Sequence, residues 1–436
     1  LQKISSYVRV PREKVWAKWP HWELAAYLLL IAVALGMRLW GLGEQAIHHD
    51  ESLHALYSWD ISEGGEYVHN PLMHGPFQFF GISFFYLIFG ASDSSTRLLS
   101  VLFGVVLVVL PILLRSRLGR AGALITSFML TFSPTMLYFS RFARNDILMA
   151  VWALALVAFM WRYFETKKSR YLLYSSMTLA FAYSTKETAF LLVAVLGSYL
   201  LIRASSDVLP WFIGRKNLSR FSPEGDYLIL IGTLTLPLLA ASVSILQGPL
   251  GLTLANADPN LAAVGVPIGT GQYLAFMVTG AFLVLSSVFG LLWRPRIWVI
   301  CFSAAIVVWV SLHINVPAFW YGLLQVDIDL DTLNLGGFAT GIWQSLGYWI
   351  QQHEVCRGCQ PWYYYFVTGS VYELLPILFS LLAIFYYLRR MDILGAFLVF
   401  WSIATFIAYT YAGEKMPWLL VNITLPLIFL SGKFLG

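Results

Sequence analysis

The sequence predicts an all-α integral membrane protein with about twelve transmembrane helices, and three observations carry that reading. Hydrophobic residues make up 58% of the 436, and charged residues only 12%, about half of the roughly 25% usual in soluble domains. Mean hydropathy is +0.70. The apolar residues gather in runs long enough to cross a bilayer, which takes about 20 residues each. A chain of this balance cannot cover a soluble surface with polar groups. That excludes an ordinary soluble enzyme and a disordered chain. A β-barrel is disfavoured too, because its strands alternate and leave no long apolar runs.

Apolar runs bounded by charge or by Pro and Gly place the spans, in order, at 22–41, 97–114, 120–139, 146–164, 171–184, 187–203, 227–247, 273–293, 297–315, 367–388, 391–411 and 416–433. The first follows a basic stretch and lacks a small-residue cleavage site, so it reads as a retained span behind a cytoplasmic tail, residues 1–21. A further run, Phe77 to Phe89, is short for a crossing and typical of a helix lying on the membrane.

Charge decides that case. With Phe77–Phe89 on the surface, the tail and the turns near 115–120, 162–170, 203–220, 294–296, 389–390 and 433 share one side. They hold 21 of the 28 basic residues. The other side has seven: Arg38, Arg97, Arg141, Arg144, Lys186, Arg357 and Lys415. If the run spanned, every later loop would change sides and the bias would vanish. The positive-inside rule then places both termini in the cytoplasm, with the plasma membrane as the expected location. The outer side carries sixteen of the 23 acids and three long loops, 42–96, 248–272 and 316–366. No soluble domain, P-loop, Rossmann motif or repeat interrupts the chain, so residues 1–436 read as one transmembrane domain. The net charge of +5 reports orientation and implies no nucleic acid. Any chemistry is expected outside, fed from the membrane.

Four constellations lie on that outer side. His48-His49-Asp50-Glu51-Ser52-Leu53-His54 follows the first span. Adjacent carboxylates at a membrane surface are costly unless solvated, paired or bound to a cation. They suit a general base, a metal ligand or both. A solvated loop is the plainer reading, but six of the eight histidines fall between 48 and 74 or at 353, which favours a site. Tyr138-Phe139-Ser140-Arg141-Phe142-Ala143-Arg144-Asn145-Asp146 joins the third and fourth spans. On a helix, Arg141 and Arg144 share a face, and paired guanidiniums suit an anion, most simply a phosphate. Asp146 either belongs to that site or caps the helix it starts.

Ser184-Thr185-Lys186-Glu187-Thr188 is a short hinge, where Lys186 either binds phosphate or pairs with a neighbouring acid. Gly413-Glu414-Lys415-Met416-Pro417-Trp418 precedes the last span. Pro417 fits a first helical turn, and Glu414 and Lys415 mark either a site or the interface. The loop 316–366 is rich in aromatics, among them Phe319, Trp320, Tyr321, Trp343, Tyr348, Trp349 and Trp362 to Tyr365. They read as an interfacial belt, with sugar stacking the alternative. Cys356 and Cys359 form a lone CxxC with neither a haem-type His nor a second pair for zinc, so a local disulfide is expected. The Asn217 sequon falls inside and is discounted.

These motifs, in this order, resemble the polytopic glycosyltransferases of the C superfamily (GT-C), such as the protein O-mannosyltransferases and the lipid A aminoarabinose transferase. The shared pattern is Asp50-Glu51 after the first span, a juxtamembrane helix, then Ser140-Arg141 to Asp146 after the third. His48 to Ser52, Arg144-Asn145-Asp146, Thr185-Lys186-Glu187, Gln360 to Tyr365 and Gly413 to Trp418 are similar to the "flippase activity-associated" family of archaea and bacteria. Members can carry Gly-Gly where this chain has Cys356 to Cys359.

The resemblance implies a GT-C-like fold with juxtamembrane helices in the first outer loop. It also implies a sugar on a polyprenyl phosphate as donor, entering from the membrane lipids, and inverting transfer with Asp50 as general base beside Glu51. Arg141, Arg144 and Lys186 are then stabilisers of the leaving phosphate, with His74, Glu414 and Lys415 as further substrate contacts. Asp50 or Glu51, with Asp146 and His49 or His74, would hold a divalent cation, which some superfamily members use and others do not. Two other readings stand beside this one. One is a non-catalytic subunit of a larger membrane protein complex, since fold does not fix function. The other is a transporter or flippase accessory for the lipid-linked sugar, against which the near absence of ionisable groups within the spans counts.

Overall fold

A computed structural model describes residues 20–65, 67, 69–251, 267, 271–313, 340–352, 359–390 and 392–436, and every regular element among them is helical. In chain order these are α1 (His21–Leu39), α2 (His49–Ser62), α3 (Phe77–Phe89), α4 (Asp93–Leu118), α5 (Arg120–Phe132), α6 (Pro134–Phe139), α7 (Asn145–Thr166), α8 (Arg170–Tyr183) and α9 (Thr188–Arg203). Then follow α10 (Ser205–Phe212), α11 (Pro223–Leu246), α12 (Gly271–Trp293), α13 (Pro295–His313), α14 (Ser345–Gln352), α15 (Tyr364–Tyr372), α16 (Leu374–Arg389), α17 (Ile393–Tyr411) and α18 (Pro417–Leu435). The tail 1–19, most of 248–272, and Phe319, Trp320, Tyr321, Cys356 and Arg357 lie outside the described residues. Cys359 is disulfide-bonded, and Cys301 is free and buried.

Among the described residues eight helices are long and apolar enough to cross a membrane, or ten if the pairs α9–α10 (bent by 75°) and α15–α16 (bent by 109°) each count once. The chain is therefore a multi-pass membrane protein. The other two of the twelve expected spans are shorter. α8 has 14 residues, about 21 Å at 1.5 Å per residue, against a hydrocarbon core of about 30 Å. α5 has 13, because the helix breaks at Ser133-Pro134. Proline offers no N–H to the carbonyl four residues back, which is that of Leu130. Arg38, fully buried near the end of α1, supplies the missing donor: its Nη2 reaches the Leu130 carbonyl at 3.2 Å. Gly104 makes room, since a Cβ there would lie 2.3 Å from Ser140 Cβ and 2.8 Å from Arg38 Nε. Glu373, at the α15–α16 bend, takes the Ser133 hydroxyl at 2.6 Å and the Thr135 N–H at 2.8 Å.

α7 is apolar all round and almost wholly buried, as a central helix should be. It packs against α4, α8 and α18. Contacts at the helix ends define two faces. On one, Glu23 of α1 holds Arg115 of α4, Nη2 at 2.6 Å, and Asp226 of α11 takes Trp293 Nε1 at 2.8 Å and Arg294 at 2.9 Å. On the other, Arg97 of α4 donates to the carbonyls of Leu42 and Gln45 just beyond α1, at 2.7 and 3.0 Å. The segment 42–96 thus begins and ends on the same face, and α3, at 13 residues, packs beside the first turns of α4, with Phe77 against Phe103 and the Tyr86 hydroxyl on Thr96 at 2.5 Å. This second face carries the candidate site.

Candidate functional site

The acidic pair opens α2. The His48 ring accepts the Asp50 N–H at 3.2 Å while Glu51 takes the His48 N–H at 3.1 Å, a reciprocal cap that fixes the first turn. Successive helical residues point about 100° apart, so the two carboxylates part company. Glu51 turns inward and is fully buried. Arg97 grips it with two bonds, Nε at 2.9 Å and Nη2 at 2.8 Å, and the Ala143 N–H adds a third at 2.8 Å. Burial opposes its ionisation, but Arg97 and the Ala143 and His48 amides outweigh that and hold the carboxyl below its usual range. Asp50 stays 27% exposed, and Arg144 Nη1 meets its Oδ2 at 2.5 Å.

Arg144 is positioned by its neighbours. The Ala143 N–H is held by Glu51 and the Ala143 carbonyl by Gln78 Nε2 of α3 at 2.7 Å. Ala143 is clamped between α2 and α3 through the peptides on both its sides, which sends Arg144 toward Asp50. The face of Trp418 covers the guanidinium at 3.7 Å. Behind it, Arg144 Nε lies 3.9 Å from Asp146 Oδ2, and Lys186 Nζ bonds Asp146 Oδ1 at 2.8 Å. Asp146 also sits in the first turn of α7, so both roles considered for it coincide. Lys186 is buried, and burial, helped by Arg144, lowers it against the pull of Asp146. The result is a string of alternating charge, Asp50–Arg144–Asp146–Lys186. Arg144 Nε and Asp146 Oδ2 are buried with no hydrogen-bond partner among the described residues, an incomplete polar set of the kind a ligand or water completes.

His54, one turn along α2 from Asp50, is buried beside this string. Burial, then the charges of Arg144 and Lys186, push it down to about 3, so its ring is neutral. Glu187 pairs with His74, Nδ1 to Oε2 at 2.7 Å, and the His74 ring stacks on Trp349 of α14. Burial pushes Glu187 up to about 8. His74 has φ 67°, a left-handed conformation uncommon without glycine. Gly75 follows it, and its N–H donates to the Thr185 carbonyl at 3.1 Å. A Cβ on Gly75 would lie 2.3 Å from the Ser184 carbonyl oxygen, so only glycine allows this approach.

The structure thus brings Asp50, Arg144, Asp146 and Lys186 together, and Glu414 lies near enough to favour the charged form of Lys186. Arg141 is turned elsewhere: it donates to the carbonyl of Met37 at 2.6 Å and closes the end of α1. Lys415 donates to the Ala412 carbonyl at 3.0 Å, and His49 is exposed. The residues do not fit a divalent cation. Among the described residues no group of three or more His, Cys, Asp or Glu side chains is placed to hold one. Asp50 and Asp146 already face Arg144 and Lys186, whose charges repel another cation. Sequence reasoning missed Arg97 and Trp418 as parts of the site. Arg97 was visible only as one of seven bases on the acidic side, and Trp418 only as the last residue of the motif before the final span.

The family model for dolichyl-phosphate-mannose-protein mannosyltransferase matches residues 73–223, which hold Arg144, Asp146, Lys186 and Glu187 but not Asp50. No curated protein matches the chain at a significant level. Among solved structures it is similar to ArnT from Cupriavidus metallidurans bound to undecaprenyl phosphate, with TM-score 0.53 and 14% identity over 95% of this chain and 59% of that one. It is similar to the archaeal oligosaccharyltransferase AglB from Archaeoglobus fulgidus in complex with an inhibitory peptide and a dolichol-phosphate, with TM-score 0.54 and 14% identity over 95% and 50%. The Archaeoglobus fulgidus oligosaccharyltransferase in complex with Zn and sulfate matches with TM-score 0.50 and 13% identity over 94% and 48%. The chain spans about half to three-fifths of the length of these structures.

Proposed function

We propose that this chain, which carries the GT-C fold, is a membrane glycosyltransferase that moves a sugar from a polyprenyl phosphate to an acceptor hydroxyl on the outer face of the cell membrane. The observation that carries the reading is the alternating string, with the partly exposed Asp50 at its open end and two buried cations behind it. In this reading the donor phosphate draws Arg144 away from Asp50 and docks between Arg144 and Lys186. That frees Asp50 to take the proton of the acceptor hydroxyl. The hydroxyl oxygen bonds to the anomeric carbon as the bond to the phosphate oxygen breaks, and the electron pair leaves with the lipid phosphate. In-line attack inverts the anomeric centre. Arg144 and Lys186 stabilise the charge that develops on the leaving group. Glu51 is a positioning residue: through Arg97 and Ala143 it holds the peptide from which Arg144 projects. Trp418 fixes the plane of the guanidinium by covering its face. No step passes through a metal.

The test compares wild type with Asp50→Asn and an Arg144→Ala/Lys186→Ala double variant, using labelled polyprenyl-phosphate sugar for turnover and native mass spectrometry for retained lipid. Asp50→Asn is expected to keep the lipid and lose about 10²–10⁴-fold in transfer, the usual contribution of a general base. The double variant is expected to lose the lipid. Transfer by Asp50→Asn at the wild-type rate sinks the assignment of the base.

A further inference from the structure

Beside the charged string lies a cleft that none of its chemistry uses. It has a volume of about 260 Å³, and its walls come from α2 (Tyr57, Asp60), the segment leading into α3 (Tyr67, Asn70, Met73) and α3 itself (Phe79). That is a little below the roughly 300–1,000 Å³ of sites for drug-sized ligands, and it has their make-up, aromatic walls with a few polar groups. Phe79 is the floor, fully buried, with Tyr57 edge-on at 6.2 Å and Tyr67 tilted at 5.6 Å. Asp60 and Asn70 are exposed at the rim. Asp60 makes no hydrogen bond or ion pair through its carboxylate among the described residues. Asn70 Oδ1 accepts the Leu72 N–H at 3.0 Å, which leaves its amide N–H groups to donate outward.

We infer that this cleft binds a neutral saccharide ring, the unit of the acceptor that follows the reacting hydroxyl; this rests on the transferase reading above. Charge argues against the donor, because no basic side chain lines the cleft and Asp60 repels a phosphate. Charge also argues against a lipid tail, since an unpaired carboxylate is expensive in hydrocarbon. A ring with an apolar face and hydroxyl edges meets both halves of the lining: its face lies on the tyrosines, and its hydroxyls donate to Asp60 and accept from Asn70. Position fits too. α2 carries Asp50 in its first turn, Tyr57 about 10 Å further along and Asp60 about 15 Å, a reach that a short glycan covers. The two sites share a wall, since Phe79 also meets the His54 ring, at 5.1 Å, and His54 lies in the field of Arg144 and Lys186.

The experiment is saturation-transfer NMR on the full chain in nanodiscs, with mannobiose, maltose and cellobiose as probes. Wild type is compared with Tyr57→Ala, Asp60→Asn and Asp50→Asn, and retention of undecaprenyl phosphate is followed in parallel. At least one disaccharide is expected to bind wild type and Asp50→Asn alike. Tyr57→Ala is expected to bind it about tenfold more weakly, the scale of a lost aromatic contact, and Asp60→Asn more weakly as well, with the lipid retained in both. Tyr57 is half exposed, so its loss spares the core. Binding of none of the three disaccharides, or equal binding by wild type and Tyr57→Ala, overturns the inference. Lipid retention without saccharide binding removes the cleft and leaves the donor site. Saccharide binding together with undiminished transfer by Asp50→Asn keeps the cleft and removes the proposed base.

Discussion

Asp50 and Glu51 show how one helical step separates two identical charges. Glu51 faces Arg97 and is enclosed, while Asp50 faces Arg144 and keeps contact with solvent. Glu187 is the most perturbed carboxyl on this face, and it makes the residue scale measurable. Its carboxyl is pushed up to about 8 from an ordinary 4.5 by burial. The native state therefore holds a proton there that the unfolded chain releases between these values. Stability from this group is full below about 4.5 and is lost as pH rises through about 8. The melting temperature of wild type is expected to fall from pH 5 to 8.5 by more than that of Glu187→Gln, whose amide does not titrate. Parallel curves would show that Glu187 is ionised throughout.

Helix ends, more than helix interiors, set the architecture at the level of elements. The Ser133-Pro134 break splits one expected span into α5 and α6, and Arg38 stands in for the absent proline N–H. This account predicts coupling between residues far apart in sequence. Pro134→Ala supplies a donor for the Leu130 carbonyl, so it is expected to matter more when Arg38→Met has removed the substitute. A double-mutant cycle by thermal unfolding in detergent should give a coupling of about 0.5–3 kcal/mol. Strict additivity would mean that Arg38 plays another role. The start of α3 is fixed in the same way: its N-terminal turn is tied to the Ser184 carbonyl through the Phe77 N–H at 2.9 Å.

Orientation is the property of the whole molecule that the proposed function needs, because the string and the cleft must share the face that meets donor and acceptor. With native cysteines replaced by serine, Glu63→Cys is expected to react with a membrane-impermeant thiol reagent on intact cells. Arg215→Cys, between α10 and α11 on the opposite face, is expected to react only after permeabilisation. The reverse pattern would place the string in the cytoplasm and defeat the proposal of an outer-face transferase.

Much of this was legible in the sequence. Apolar run length identified a helical membrane protein, and the uneven placement of 28 basic residues predicts a sidedness for its loops. Both signals are local, since one follows from the thickness of the bilayer and the other from single loops. The residues of the string were also visible, Arg144 and Lys186 as bases on the side where bases are expected to be rare, and Asp50 and Asp146 as acids within the motifs that hold them. Tertiary structure alone decided what each charge does. Arg141 and Arg144 are three residues apart, yet one closes α1 and the other meets Asp50, because the chain between them is extended at Arg144 and does not continue as helix. Lys186 meets Asp146 and not its sequence neighbour, and Glu187 turns to His74, because buried polar groups take the partner that packing delivers. The cleft joins residues from α2, α3 and the segment between them, and spacing along the chain does not encode which surfaces close around a shared space.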